Sequence, residues 1–400
     1  MKHLVIIGMV VPEPDSTAAG HRMLQLLEMF RSWDFKISFL TSAQPSDFSL
    51  TMDVETIQMN DSSFDMRIKE LAPDVVLFDR YVTEEQFGWR VFENCPNAIR
   101  IIDTEDLHFL RTARQIAFKE NRELEYSDYI NTVFKRELAS ILRCDLSLII
   151  SQYEYQLLTE SFHIAPQNLL YIPFLNREVI PSSIGFSERK NFVSIGNFLH
   201  EPNWQTVLKL KSLWKSIRKQ LPDAEMHIYG AYASEKVFQL HNDKEGFLIK
   251  GRAENVTDVF NSARVLLAPI PFGAGLKGKL WESMLYGLPN VTTEVGAEGM
   301  QWNGLWNGFI ANSDEGFIEK AVQLYTSESD WNQAQENGYE IAKNQFDWET
   351  FETQFKEKVD SLFENLQKHR EANFLGQILQ HHSLNSTKYM SKWIEAKNKN

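Results

Sequence analysis

Residues 268–300 read APIPFGAGLKGKLWESMLYGLPNVTTEVGAEGM, and this stretch decides the fold. The apolar run Val265 to Ile270, closed by Pro269 and Pro271, predicts a strand buried in a parallel sheet. Gly273, Gly275 and Gly278 follow, so the backbone can turn tightly there and present free amide N–H groups. From about Leu276 the spacing of Leu276, Leu280 and Met284 predicts a helix with one apolar face. A helix start of this kind favours an anion, because its N–H groups are unpaired and its dipole is positive.

The charged residues of the stretch fit that picture. At roughly 100° per residue, Lys279, Glu282 and Tyr286 share a flank beside the apolar face. Lys277 points elsewhere and reaches the same ligand only from the loop or the first turn. Lysine is a point charge suited to phosphate oxygens, and a carboxylate one turn on can accept ribose hydroxyl hydrogens. Taken singly, a glycine-rich strand-to-helix turn and exposed lysines are common in α/β proteins, so a purely structural reading stays open on spacing alone.

Outward from this stretch, strands alternate with helical patterns almost throughout. Leu4–Met9, Lys36–Leu40, Val75–Phe78, Ile99–Asp103, Leu146–Ile150 and Leu169–Pro173 form one expected set. Phe192–Gly196, Glu225–Gly230, Phe247–Lys250, Val265–Ile270, Val291–Thr293 and Gly308–Ala311 form a second. Two doubly wound α/β domains are expected: residues 1–175, a linker at 176–191 containing Pro181, Ser182, Ser183 and Gly185, a second domain at 192–346, and helices over 347–400. In the last segment, Leu375, Tyr389, Trp393, His381 and His382 are expected to be packed rather than catalytic.

Composition excludes several classes. A net charge of −13 argues against nucleic acid as the main partner, since that binding relies on a basic surface. Cys95 and Cys144 have no metal or disulfide spacing and fit a reducing compartment. The apolar run at the amino end stops at Pro12, Glu13 and Asp15, which suits a first strand better than a signal sequence. No stretch approaches the roughly 20 apolar residues of a membrane span, so a cytoplasmic location is expected, with peripheral contact at the inner membrane face as a further expectation. The basic run Leu208 to Lys219 could rest on anionic lipid, but its charges spread round a helix and read first as a solvated face. A nicotinamide dehydrogenase is excluded by GMVVPEPDSTAAG, which lacks the G-x-G-x-x-G pattern after the first strand.

Phe272 to Thr293 closely resembles the C-terminal nucleotide-sugar loop of retaining GT-B glycosyltransferases, within the subset reading F-G-A-G-x-K-G-K and then E-x-M-x-x-G-L-P-x-V-T-T. The resemblance implies two Rossmann-like domains facing a cleft, with C-terminal helices crossing back to the first. It implies a nucleotide diphosphate sugar as donor and a glycan, lipid-linked or protein acceptor, with no cofactor. Glu282 matches the second glutamate of the family's "Glu, seven residues, Glu" motif, which holds the donor ribose; the first glutamate position is Ala274. The family's Arg/Lys pair for the diphosphate is also missing, because Ser194 to Trp204, SIGNFLHEPNW, contains neither residue. Lys277 and Lys279 are expected to compensate, over Gly273, Gly275 and Gly278, with Asn197, His200 and Asn203 beside them and Arg252 near the base.

In the first domain, VVPEPDSTAAGHR resembles the family's P-x-P-D-x-x-A-G-x-R opening, which assigns Asp15, Gly20 and Arg22 to the acceptor side. Asp15 can equally be a turn or cap residue, and Arg22 can equally pair with a carboxylate on the surface. IIDTEDLHFLR resembles a second family segment, and His108 matches its cleft histidine; read alone, a histidine beside Asp103, Glu105 and Asp106 is more often structural. No Asp-x-Asp tripeptide occurs in the chain, so metal-free chemistry is expected. The missing first glutamate keeps a non-catalytic sugar-nucleotide-binding subunit as an alternative, beside a GT-B epimerase or phosphorylase.

Overall fold

The structure, a computed structural model, describes residues 1–12, 18–43 and 53–399. Seven parallel strands form the first sheet: β1 (His3–Gly8), β2 (Lys36–Thr41), β3 (Asp53–Thr56), β4 (Val75–Asp79), β5 (Ile99–Asp103), β6 (Leu146–Ile149) and β7 (Leu169–Tyr171), in the order β3-β2-β1-β4-β5-β6-β7. Six more form a second parallel sheet: β8 (Lys190–Ile195), β9 (Met226–Tyr229), β10 (Phe247–Gly251), β11 (Ala263–Ala268), β12 (Asn290–Thr292) and β13 (Gly308–Ile310), in the order β10-β9-β8-β11-β12-β13. Central strands such as β1, HLVIIG, are buried along their whole length because helices cover both faces.

In each sheet the strand order reverses at one place, between β1 and β4 and between β8 and β11. A crevice opens beyond the carboxyl ends of the strands at such a point, and ligands of open α/β sheets gather there. The stretch after β11 leads into that crevice.

β3 is missing from the sequence reading for a physical reason. It is an edge strand with Asp53, Val54 and Thr56 exposed, so it has no apolar run or alternation to read.

The helices Trp348–Ala372 and Phe374–Lys399 return to the first domain. Trp348, Phe355, Val359 and Leu362 join Leu4, Phe30 and Leu77 in one buried cluster, so the chain's end completes the core of its beginning. The last helix departs from expectation: Leu375, Tyr389 and Trp393 are 58%, 66% and 60% exposed. The helix docks through polar residues instead. Gln380 accepts from Arg100, Ser391 accepts from Arg90, Lys388 pairs with Glu93 and Glu395 accepts from Ser62. The side chain of His382 lies outside the described residues. Among the described residues no helix is long and apolar enough to cross a membrane. In the basic helix Glu201–Gln220, Lys209 pairs with Asp314 and Lys211 with Glu245, which agrees with a solvated, locally neutralised face.

Candidate active site

The loop after β11 is tied down on its own side first. Thr292 Oγ1 donates to Ala268 O and Thr293 Oγ1 to Ile270 O, both at 2.7 Å, so the two threonines at the end of β12 brace the exit of β11. The helix then runs Gly278–Leu285, with Lys277 at its cap position in extended conformation. It begins two residues later than the apolar spacing predicts. Leu276, Leu280 and Met284 are nonetheless all buried.

Two glycines of the loop are required by the other domain. Gly275 has φ +64, and a Cβ there would lie 2.8 Å from Asp106 Cβ; at Gly278 a Cβ would lie 2.6 Å from Ala18 Cβ. The first domain therefore packs directly onto the loop. At Gly273 the nearest atom to such a Cβ is Lys277 Cε at 3.7 Å, leaving that position open.

The charged residues fall into two groups. Lys279 Nζ donates to Asn203 Oδ1 at 2.8 Å, placing it against the first turn of helix Glu201–Gln220. Burial lowers its pKa to about 8, opposed by the nearby Glu282 carboxylate. Burial raises Glu282 to about 7, opposed in turn by Lys279. Ser194, Ile195, Gly196, Phe198, Asn203 and Lys279 are among the residues lining a small pocket at the switch point beside β8. Asn197 shapes its rim: its O accepts from Asn203 Nδ2 and its Oδ1 from Leu199 N. His200, exposed at the N-cap position of the same helix, has its Nε2 3.4 Å from Arg111 Nη1.

Lys277 belongs to the second group. It is only 8% exposed, and its Nζ donates to Gly275 O at 2.7 Å. Burial lowers it to about 8 despite the carboxylates of Glu298, Glu154 and Asp106, while Arg114 adds to the fall. Arg114, from the first domain, donates to Gly273 O and grips Glu298 with both terminal nitrogens at 2.8 and 2.7 Å. Glu154 Oε1, also from the first domain, accepts from Gly275 N at 2.7 Å.

His108 stands at the start of helix His108–Lys119. Its Nδ1 lies 3.2 Å from Glu137 Oε1 and 3.1 Å from Asp106 O, and Tyr81 meets the ring edge-on. Burial opposes its protonation, but Asp106 and Glu137 outweigh burial and raise its pKa. Glu137 also accepts from His108 N and Phe109 N, so a carboxylate from a neighbouring helix caps this one. Around His108 lie groups that the sequence did not single out. Arg80 and Glu105, just past the ends of β4 and β5, have φ +69 and +63, which is strained for non-glycine residues. Buried beside them, Asp79 Oδ1 and Glu105 Oε1 have no protein partner, and burial raises both carboxyls.

The remaining expected residues are elsewhere or otherwise engaged. Arg22 is 1% exposed: it pairs with Asp103 and donates to Ile172 O and Pro173 O, so it locks helix Ala18–Ser32 to the sheet. An acceptor-side anion cannot reach it. Gly20 is buried in the first turn of that helix. Asp15 lies outside the described residues. Arg252 is exposed just past β10, an edge strand three places from β11. Among the described residues no three His, Cys, Asp or Glu side chains could together hold a metal ion.

Residues 189–327 match the family model of glycosyl transferases group 1. Among solved structures the chain is similar to sucrose-phosphate synthase from Thermosynechococcus elongatus, with TM-score 0.71 and 14% identity over 91% of this chain and 99% of that one. It is similar to a mutant of S. aureus TarM in complex with fondaparinux, alpha-GlcNAc-glycerol and UDP, with TM-score 0.70 and 10% identity over 91% and 100%. It is also similar to Anabaena HepE in complex with UDP and glucose, with TM-score 0.67 and 14% identity over 90% and 100%. No curated protein sequence matches the chain. The fold is GT-B. The matched residues 189–327 include the Lys279–Glu282 group.

Proposed function

We propose that this protein is a glycosyltransferase that moves a sugar from a nucleotide diphosphate sugar to a glycan, lipid-linked or protein acceptor, with retention and without metal. The observation that carries this reading is the pairing of Lys279 and Glu282 on one helix at the switch point, both held near neutrality by burial. A partly buried ammonium with a lowered pKa is short of a counter-charge, and a diphosphate would supply it. Lys279 and the amides of helix Glu201–Gln220 would meet the phosphates, and Glu282 would accept ribose hydroxyls. Charge that develops on the departing phosphate is then met by donors already in place, each worth roughly 3–4 kcal/mol in comparable oxyanion sites. His108, held by Glu137 and Asp106, would face the donor sugar from the first domain. UDP, present in the TarM and HepE complexes, is the first nucleotide to try.

Incubation with UDP-, GDP-, dTDP- and ADP-sugars and mixed glycan or lipid-linked acceptors tests this, with products read by mass spectrometry. Sugar joined to an acceptor with the donor's anomeric configuration is expected from the intact protein, and is lost in Lys279→Ala. Binding of nucleotide without transfer to any acceptor class would favour the sugar-nucleotide-binding subunit that Ala274, in place of a carboxylate, leaves open.

A further inference from the structure

Glu154 is a buried carboxyl for which the proposed chemistry has no use. It lies in helix Gln152–Gln156 of the first domain and is 0% exposed. One oxygen, Oε1, accepts two backbone N–H groups at once: Leu107 N at 3.1 Å, in the segment leading to His108, and Gly275 N at 2.7 Å, in the loop of the second domain. The other oxygen, Oε2, is buried without a protein partner. Burial, reinforced by the Asp106 carboxylate, raises its pKa to about 8, so near pH 7 the group is a neutral carboxyl that accepts with its carbonyl oxygen. The Lys277 ammonium, which favours ionisation, is bonded to Gly275 O instead.

The geometry on either side of Ala274 is equally specific. Gly273 O is held by Arg114 and Gly275 N by Glu154, both from the first domain. The backbone of the phosphate loop is thus gripped on both sides of one residue by the opposite domain. Separation of the domains would break both grips and the Arg114–Glu298 pair together.

We propose that Glu154 is a positioning residue, a latch through which closure of the two domains sets the phosphate loop and the His108 segment in register for the donor. The proposal rests on the donor-site reading above. A neutral carboxyl suits the task because glutamine can replace it, keeping a carbonyl oxygen for both N–H groups, whereas methionine keeps the shape and removes the acceptor.

The test uses the full chain as wild type, Glu154→Gln and Glu154→Met, with two readouts: amide exchange at Gly275, and UDP affinity by calorimetry. In Glu154→Met the Gly275 amide is expected to exchange at least about tenfold faster while the sheet amides stay protected, and UDP affinity to fall about tenfold or more, as stranding two buried donors implies. Glu154→Gln is expected to stay within about threefold of wild type in both. Unchanged exchange in Glu154→Met overturns the latch. Faster exchange with unchanged UDP affinity overturns its link to the donor. If glutamine fails as badly as methionine, the neutral carboxyl is wrong. Should the wild type bind no UDP, the donor-site reading fails for that nucleotide, and exchange alone still decides whether Glu154 holds the loop.

Discussion

At Lys279 the structure turns a sequence expectation into a titration. Its ammonium has a pKa of about 8 before any ligand arrives. An anionic ligand binds the protonated form, so binding raises that pKa and takes up a proton as pH passes above about 8. Nucleotide affinity measured against pH should therefore fall above about pH 8. Lys279→Arg, always charged, should delay the fall, and Lys279→Ala should weaken binding by roughly tenfold to a hundredfold at pH 7. Glu137 offers an independent check. Glu137→Ala removes the acceptor for His108 N and Phe109 N, costing about 1–3 kcal/mol in denaturant unfolding. It also removes a carboxylate that raises His108, so the histidine pKa read by NMR should drop. Neither Glu137 nor Glu154 was legible in the sequence, because a glutamate in a helix looks like a surface charge until its neighbours in space are known. Lys279 and Glu282 were legible because their spacing on one short helix places them together without help from the rest of the chain. Arg22 was legible as an anion contact or a surface ion pair, whereas its partner Asp103 is buried with it, a setting the sequence did not announce.

Among elements, the loop from Gly273 to Gly278 carries a requirement beyond the one its sequence suggests. The sequence argues its glycines from phosphate approach, whereas Gly275 and Gly278 are also the places where the first domain presses on the loop. Gly275→Ala combines φ +64 with a Cβ 2.8 Å from Asp106 Cβ, so it should lower stability by about 1–3 kcal/mol in urea unfolding. Gly273→Ala meets no such neighbour and should cost clearly less. Comparable losses at both would mean that the domain contact does not determine the loop. Strand positions were readable because parallel strands buried on both faces announce themselves as apolar runs. β3 was not, since an exposed edge strand offers no such run.

For the whole molecule, the crossing of the C-terminal helices is structural before it is functional. Phe355 sits fully buried among Phe30, Trp33 and the first-domain strands. Phe355→Ala should destabilise the first domain by about 3–5 kcal/mol, seen as an earlier thermal transition. The helical nature of this segment was plain from its pattern. Which face would dock was not, because Arg90, Arg100 and Glu93 hold the last helix by its polar side. The central proposal concerns the cleft between the two sheets, where a nucleotide diphosphate would sit on Lys279 and Glu282. Calorimetric titration with UDP, GDP, dTDP and ADP, on the wild type, Lys279→Ala and Glu282→Ala, tests it most directly. Selective binding of one nucleotide, weakened by both substitutions, is the predicted result; no binding of any of them, or binding indifferent to both substitutions, contradicts it.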